Sequence, residues 1–172
     1  MTIGLLILRL VFGLTMAAHG FQKLFGWFGG GGIAGTAPFM EQLGFRPGRL
    51  HAAMAGMTEA GGGLMLAAGL FTPLAAAMII SIMLVGSVTV HLRNGFFLEK
   101  GGYEYTLALA TGALSVAFTG PGVLSLDAAL GIDWSGFVWG VAALGLGLLG
   151  SGLMLMARTR PSAAEMPAHQ AT

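Results

Sequence analysis

Apolar residues run along this chain in five long blocks, separated by short polar or glycine-rich breaks. The blocks cover 3–25, 50–71, 73–92, 103–119 and 134–157, each near the ~20 residues that carry an α-helix across a bilayer. The pattern predicts an all-α polytopic membrane protein. A four-helix transmembrane bundle occupies 1–131, and one additional C-terminal transmembrane helix occupies 132–158. Gly69-Leu-Phe-Thr-Pro73 reads as a tight turn with Pro73 at a first helical position, and Gly120-Pro121-Gly122 ends the fourth block. Between the first two helices, 26–32 reads as a flexible aromatic loop at the membrane interface. A short surface helix capped by Thr36 follows at 36–43. Residues 159–172, with two prolines and no apolar run, read as a disordered cytoplasmic tail.

Basic residues give these helices a direction. Lys23, Arg46, Arg49, Arg93, Lys100, Arg158 and Arg160 all fall in alternate connections or in the tail, while the other connections offer only Asp127 and Asp133. Short basic loops stay cytoplasmic, so the N-terminus is expected outside and the C-terminus in the cytoplasm of a bacterial inner (plasma) membrane. No basic stretch precedes the first apolar run and Arg9 interrupts it, which argues against a cleaved signal peptide.

Composition agrees with this class. Hydrophobic residues make up 55% of the 172 and charged residues 9%, against roughly 25% charged in a soluble domain. A net charge of +1 lacks the basic footprint of a nucleic-acid binder. The absence of cysteine excludes disulfide exchange and iron–sulfur ligation by this chain alone.

Candidate chemistry lies in the ionisable residues inside the apolar blocks. Each costs at least ~2.5–3.5 kcal/mol at membrane depth, so such groups turn inward and find partners. Arg9, His19 and Lys23 project from one side of the first helix, which Gly13 and Gly20 share. Around Glu59 the helical neighbours Ala52, Ala55, Gly56, Gly62 and Gly63 are all small. Glu104, Ala108, Thr111 and Ser115 align as a polar stripe, and Ser87 stands one turn before His91. Depth along the helices predicts a deep Arg9–Glu59 pair and a shallower cluster of His19, Lys23, His91 and Glu104. The same residues also fit plainer roles: a registry-fixing ion pair, interfacial histidines, a helix-start carboxylate at Glu104, and an aromatic belt of Phe25, Trp27, Phe28, Phe96 and Phe97. A weak echo between His19…Lys23…Phe25 and His91…Arg93…Phe96 leaves a duplicated hairpin open.

An ordered set of motifs resembles the DoxX family of bacterial membrane proteins. It comprises His19-Gly-Phe-Gln-Lys23-Leu-Phe-Gly-Trp27, Gly35-Thr36, Gly44-Phe45-x-Pro47, Glu59-x-Gly-Gly-Gly63, Gly69-Leu-Phe-Thr-Pro73, His91-x-x-Asn94-Gly95-Phe-Phe97, Gly102-Tyr-Glu104, and Gly120-Pro-Gly122 with Ser125-Leu-Asp127. The resemblance implies a four-helix bundle with a shared polar cluster of Arg9, His19, Lys23, Glu59, His91, Tyr103 and Glu104. Some family members are membrane subunits of thiosulfate:quinone oxidoreductase, and others are associated with resistance to quinones, catechols or oxidants. The helix at 134–157 departs from the family's four, and its glycines, from Gly136 and Gly140 onward, suit docking against the bundle or a partner.

The leading functional expectation is a redox-associated protein that interacts with quinone. His19, Glu59, His91 and Glu104 would handle protons, while Arg9, Lys23, Trp27, Phe97 and Tyr103 would bind and flank the ring. No electron carrier is visible in the residues, so electrons would come from a soluble or membrane oxidoreductase subunit or an exchangeable cofactor. The alternatives are a non-catalytic anchor or assembly subunit, a proton or small-solute carrier, and a homo-oligomer in the bilayer. Haem b or a metal held by His19, His91 and Glu104 ranks last, because two histidines at membrane depth form no specific ligand motif.

Overall fold

A computed structural model describes residues 2–159. The tail expected at 159–172 lies outside the described residues apart from Thr159. The chain forms α1 (Thr2–Phe25), α2 (Gly32–Gln42), α3 (Gly48–Ala68), α4 (Thr72–Gly86), α5 (Glu104–Thr119), α6 (Leu126–Ala129) and α7 (Phe137–Met156). Helices α1, α3, α4 and α5 make an antiparallel bundle, and α7 lies in the outer groove between α4 and α5. This is the expected four-helix bundle with one added helix. Three segments, Ile3–Phe25, Thr72–Asn94 and Phe137–Met156, are long and apolar enough by themselves to cross a membrane. The other two predicted spans differ. Helix α3 has 21 residues but carries Arg49, His51 and Glu59 among its small residues, and α5 has 16 residues. Both lie alongside longer apolar neighbours.

Glycine makes the tightest seam. Helices α1 and α3 cross with Gly13 against Gly63 and Ala67, Gly20 against Ala60, and Gly56 against Leu24. A Cβ on Gly13 would come within 2.6 Å of the Gly63 carbonyl oxygen, so only the missing side chain permits this backbone approach. Met16, Leu66, Ile79, Leu109, Ala113 and Val116 fill the interior behind it. The outward residues of α1, including Ile7, Val11 and Leu14, remain exposed as the apolar surface a bilayer would cover.

Local chemistry sets the connections. The stretch after α1 is an ordered 3₁₀ turn, Trp27–Gly29, preceded by Gly26 at φ +76°. Helix α2 begins at Gly32, so Thr36 sits inside it rather than capping it; the Gly35 amide already bonds the Gly31 carbonyl at 3.0 Å, closing a turn before Thr36 is reached. Helix α4 does not end as an α-helix. Ser87–His91 form a π-turn, followed by a 3₁₀ turn at Leu92–Asn94. The π-turn holds one residue more than an α-turn and so re-aims everything after it. Helix α7 packs with Gly140 on Phe118 and Gly147 on Ile80, and the Thr159 amide then bonds the Gly44 carbonyl at 2.9 Å. The added helix therefore docks on this chain's own bundle.

Candidate functional site

Two polar sites lie at opposite ends of α1. At its C-terminal end, Lys23 Nζ donates to Glu59 Oε2 at 2.6 Å. Glu59 is only 4% exposed, whereas the Lys23 side chain keeps 25% of its surface, so the pair reaches from the packed seam toward the bundle's rim. One turn before Lys23, His19 Nε2 and the Tyr105 hydroxyl share a hydrogen bond of 3.1 Å, with the rings in an edge-on contact. His19 and Tyr105 both lie close enough to Glu59 to interact with its charge. Four titratable side chains from α1, α3 and α5 thus meet, each half-buried or deeper.

This partner choice corrects the expected Arg9–Glu59 pair. Gly20 lies against Ala60, so Glu59 is level with residue 20 of α1. Arg9 lies eleven residues away, or about 16 Å along the helix at ~1.5 Å per residue, while Lys23 is less than one turn off. Arg9 instead belongs to the opposite end. It is 1% exposed and donates through one Nη to the Leu124 carbonyl; its Nε and other Nη have no hydrogen-bond partner. Its guanidinium presses on Gly69 and interacts with the charge of Asp127. Asp127, equally buried, accepts from the Phe71 amide at 2.7 Å, the Thr72 amide at 3.0 Å and the Thr72 hydroxyl at 2.7 Å. No side chain of the α3–α4 turn caps α4. Asp127 supplies that cap from 55 residues away.

Of the expected shallow cluster, His19 and Lys23 stay together, while His91 and Glu104 lie elsewhere. His91 ends the π-turn, and its Nδ1 bonds the Gly101 carbonyl at 2.7 Å, which also accepts from Asn94 at 3.1 Å. Glu104 is exposed and accepts from the Leu98 amide at 2.9 Å, closing the 95–103 loop. The stripe it heads on α5 faces outward: Ala108, Thr111 and Ser115 are all exposed. Thr111 and Ser115 donate back to the Leu107 and Thr111 carbonyls, both at 2.8 Å. Hydroxyls satisfied on their own helix need no interior partner. Phe97 and Tyr103 gather around Phe96 in that loop, with centroids 5.3 and 5.5 Å from it. Trp27 instead packs on Phe21 and Phe25 at 5.3 and 5.2 Å, at the Lys23 end of α1. Among the described residues no three acidic or histidine side chains converge as a metal-binding group.

Two participants escaped the sequence reading. Tyr105 lies one residue past the stripe that drew attention to α5. Only the spacing of Tyr105, Leu109, Gly112 and Val116, the true inner face, would have singled it out. Asp127 looked like a loop acid, and nothing in the sequence pairs it with Thr72.

Comparison with known proteins bears on this arrangement. The sequence model of the DoxX family matches residues 4–92, from α1 to the end of the α4 π-turn segment. The chain is similar to the inner membrane protein YqjF of Escherichia coli (strain K12), at 27% identity over 132 residues, covering 77% of this chain and 95% of the relative. No solved structure matches the chain. Arg9, His19, Lys23, Glu59 and His91 lie inside the family match, while Tyr105 and α7 lie beyond it.

Proposed function

This chain belongs to the DoxX family of membrane proteins, and we propose that it binds the headgroup of a lipid-soluble quinone beside Lys23, Glu59, His19 and Tyr105. The observation that carries this reading is the placement of the 2.6 Å Lys23–Glu59 pair one turn from the His19–Tyr105 bond, at the rim of an apolar bundle. A quinone carbonyl accepts hydrogen bonds, and Lys23, Tyr105 and a protonated His19 all donate them. Reduction of such a ring takes up two electrons and two protons. The residues here serve the proton side: His19 and Tyr105 share a hydrogen bond, and Glu59 can receive a proton from Lys23 or pass one to it. Phe21, Phe25 and Trp27 form an aromatic cluster at the same end of α1, with Phe25 and Trp27 exposed on the surface from which a lipid-soluble ring arrives. Electrons would be delivered by a partner oxidoreductase. By analogy with the inner-membrane relative and by its basic loops, the protein resides in a bacterial inner membrane with the Lys23 end toward the cytoplasm.

Titration of detergent-purified protein with ubiquinone-1, followed by tryptophan fluorescence, tests the reading. Saturable quenching is expected, weakened at least about tenfold in His19→Ala and Lys23→Met, the loss of roughly one charge-assisted hydrogen bond. Quenching that fails to saturate, or that both variants leave unchanged, overturns it.

A further inference from the structure

We propose that the cleft beside the π-turn of α4 binds a neutral lipid alcohol, with its hydroxyl donated to Ser87 and its hydrocarbon body between α4 and α5. The cleft has a volume of about 260 Å³, larger than the ~150 Å³ of apolar space that admits a benzene ring. Met83, Leu84, Leu107 and Ala110 wall it, and Ser87 and Thr106 supply its polar spot. Thr106 is 5% exposed, while Leu107 at the rim is 44% exposed on the surface a bilayer would cover. The opening begins where α4 gives way to the π-turn, whose first residue is Ser87.

The direction of one hydrogen bond selects the ligand. Ser87 Oγ and Thr106 Oγ1 lie 2.6 Å apart, and Thr106 Oγ1 lies 2.9 Å from the Tyr103 carbonyl oxygen. A carbonyl can only accept and a threonine hydroxyl carries a single proton, so Thr106 donates to Tyr103. The proton between the two hydroxyls therefore comes from Ser87. Ser87 Oγ has no second proton to give and keeps an unused lone pair, so this spot offers an acceptor and no donor. A quinone or an ester, which only accepts, finds no partner there, and an acyl chain leaves the lone pair unmatched. A buried water needs about two to four polar partners, and walls of methionine, leucine and alanine supply none beyond this spot. One hydroxyl on a hydrocarbon body meets both demands. Lys23, Glu59, His19 and Tyr105 do not line this cleft, so the alcohol site stands independently of the quinone proposal.

The chain has no cysteine, so Ala110→Cys places a single thiol on the cleft wall, and its rate of labelling by monobromobimane in detergent reports occupancy. Hexan-1-ol should slow the labelling saturably. Its isomer methyl pentyl ether, equal in size but without a donor, should protect about fivefold more weakly, the loss of one neutral hydrogen bond. Added to the Ala110→Cys chain, Ser87→Ala should make the two isomers protect alike. Thr106→Val removes the acceptor of the Ser87 proton and frees that proton for a ligand, so the gap between alcohol and ether should narrow. Protection that never saturates, equal protection by the two isomers in the Ala110→Cys chain, or a preference that survives Ser87→Ala would each overturn the proposal. An unchanged gap in a Thr106→Val chain that elutes as the parent on size exclusion would overturn it as well; should that variant aggregate, Ser87→Ala decides alone.

Discussion

Glu59 faces a seam of glycine and alanine, and its one strong partner is Lys23. Removing that charge leaves an ammonium in a poorly solvated place. Glu59→Gln should lower stability by about 3 kcal/mol, the low end for breaking a buried pair because Lys23 keeps some solvent contact; a thermal melt in detergent reads it. Asp127 works differently, as an acceptor for three donors on one turn. Asp127→Ala should cost at least about 2 kcal/mol, since buried amides lose a charged acceptor, and the fall in melting temperature should exceed that of the exposed Asp133→Ala. Side-chain partners were the part of the site least legible in the sequence. The helical wheel turned Arg9, His19, Lys23 and Glu59 inward correctly. Depth along the helices matched Glu59 with Arg9, whereas the crossing of Gly20 on Ala60 sets it beside Lys23.

Among the elements, the apolar blocks located every long helix, because a run of ~20 apolar residues leaves the chain few other structures. Glycine spacing also identified the α1–α3 face. Gly13→Val tests that seam: the new side chain would meet backbone at 2.6 Å with nothing flexible to yield. A loss of more than about 3 kcal/mol, beyond ordinary overpacking, is expected as aggregation on size exclusion. Gly4→Val, where a Cβ meets nothing within 4 Å, should run as the parent. What the blocks hid was the π-turn at Ser87–His91, which no residue type announces. It carries His91 to the 95–103 loop and so removes it from the cluster that depth alone predicted. The α5 stripe misled for a related reason, since alignment of hydroxyls says nothing about which way they face once each bonds its own helix.

On the scale of the molecule, α7 is an added layer rather than part of the bundle that holds the polar cluster. Gly147 lies against Ile80, at the centre of its contact with α4. Gly147→Leu should push α7 outward and lower the melting temperature in detergent, while ubiquinone-1 quenching stays within about twofold of the parent, as expected for sites with no shared partners. A parallel loss of both would mean that the fifth helix supports the whole interior.

The two ends of α1 hold Arg9 with Asp127 and Lys23 with Glu59, so the four ions embedded in the helical core cancel. A membrane voltage acts on an uncompensated charge with ~2.3 kcal/mol per 100 mV. Applied to this balanced set it performs no net work if the helices shift together. Only a change that separates the members of one pair, or moves a proton on or off one of them, couples these residues to the voltage.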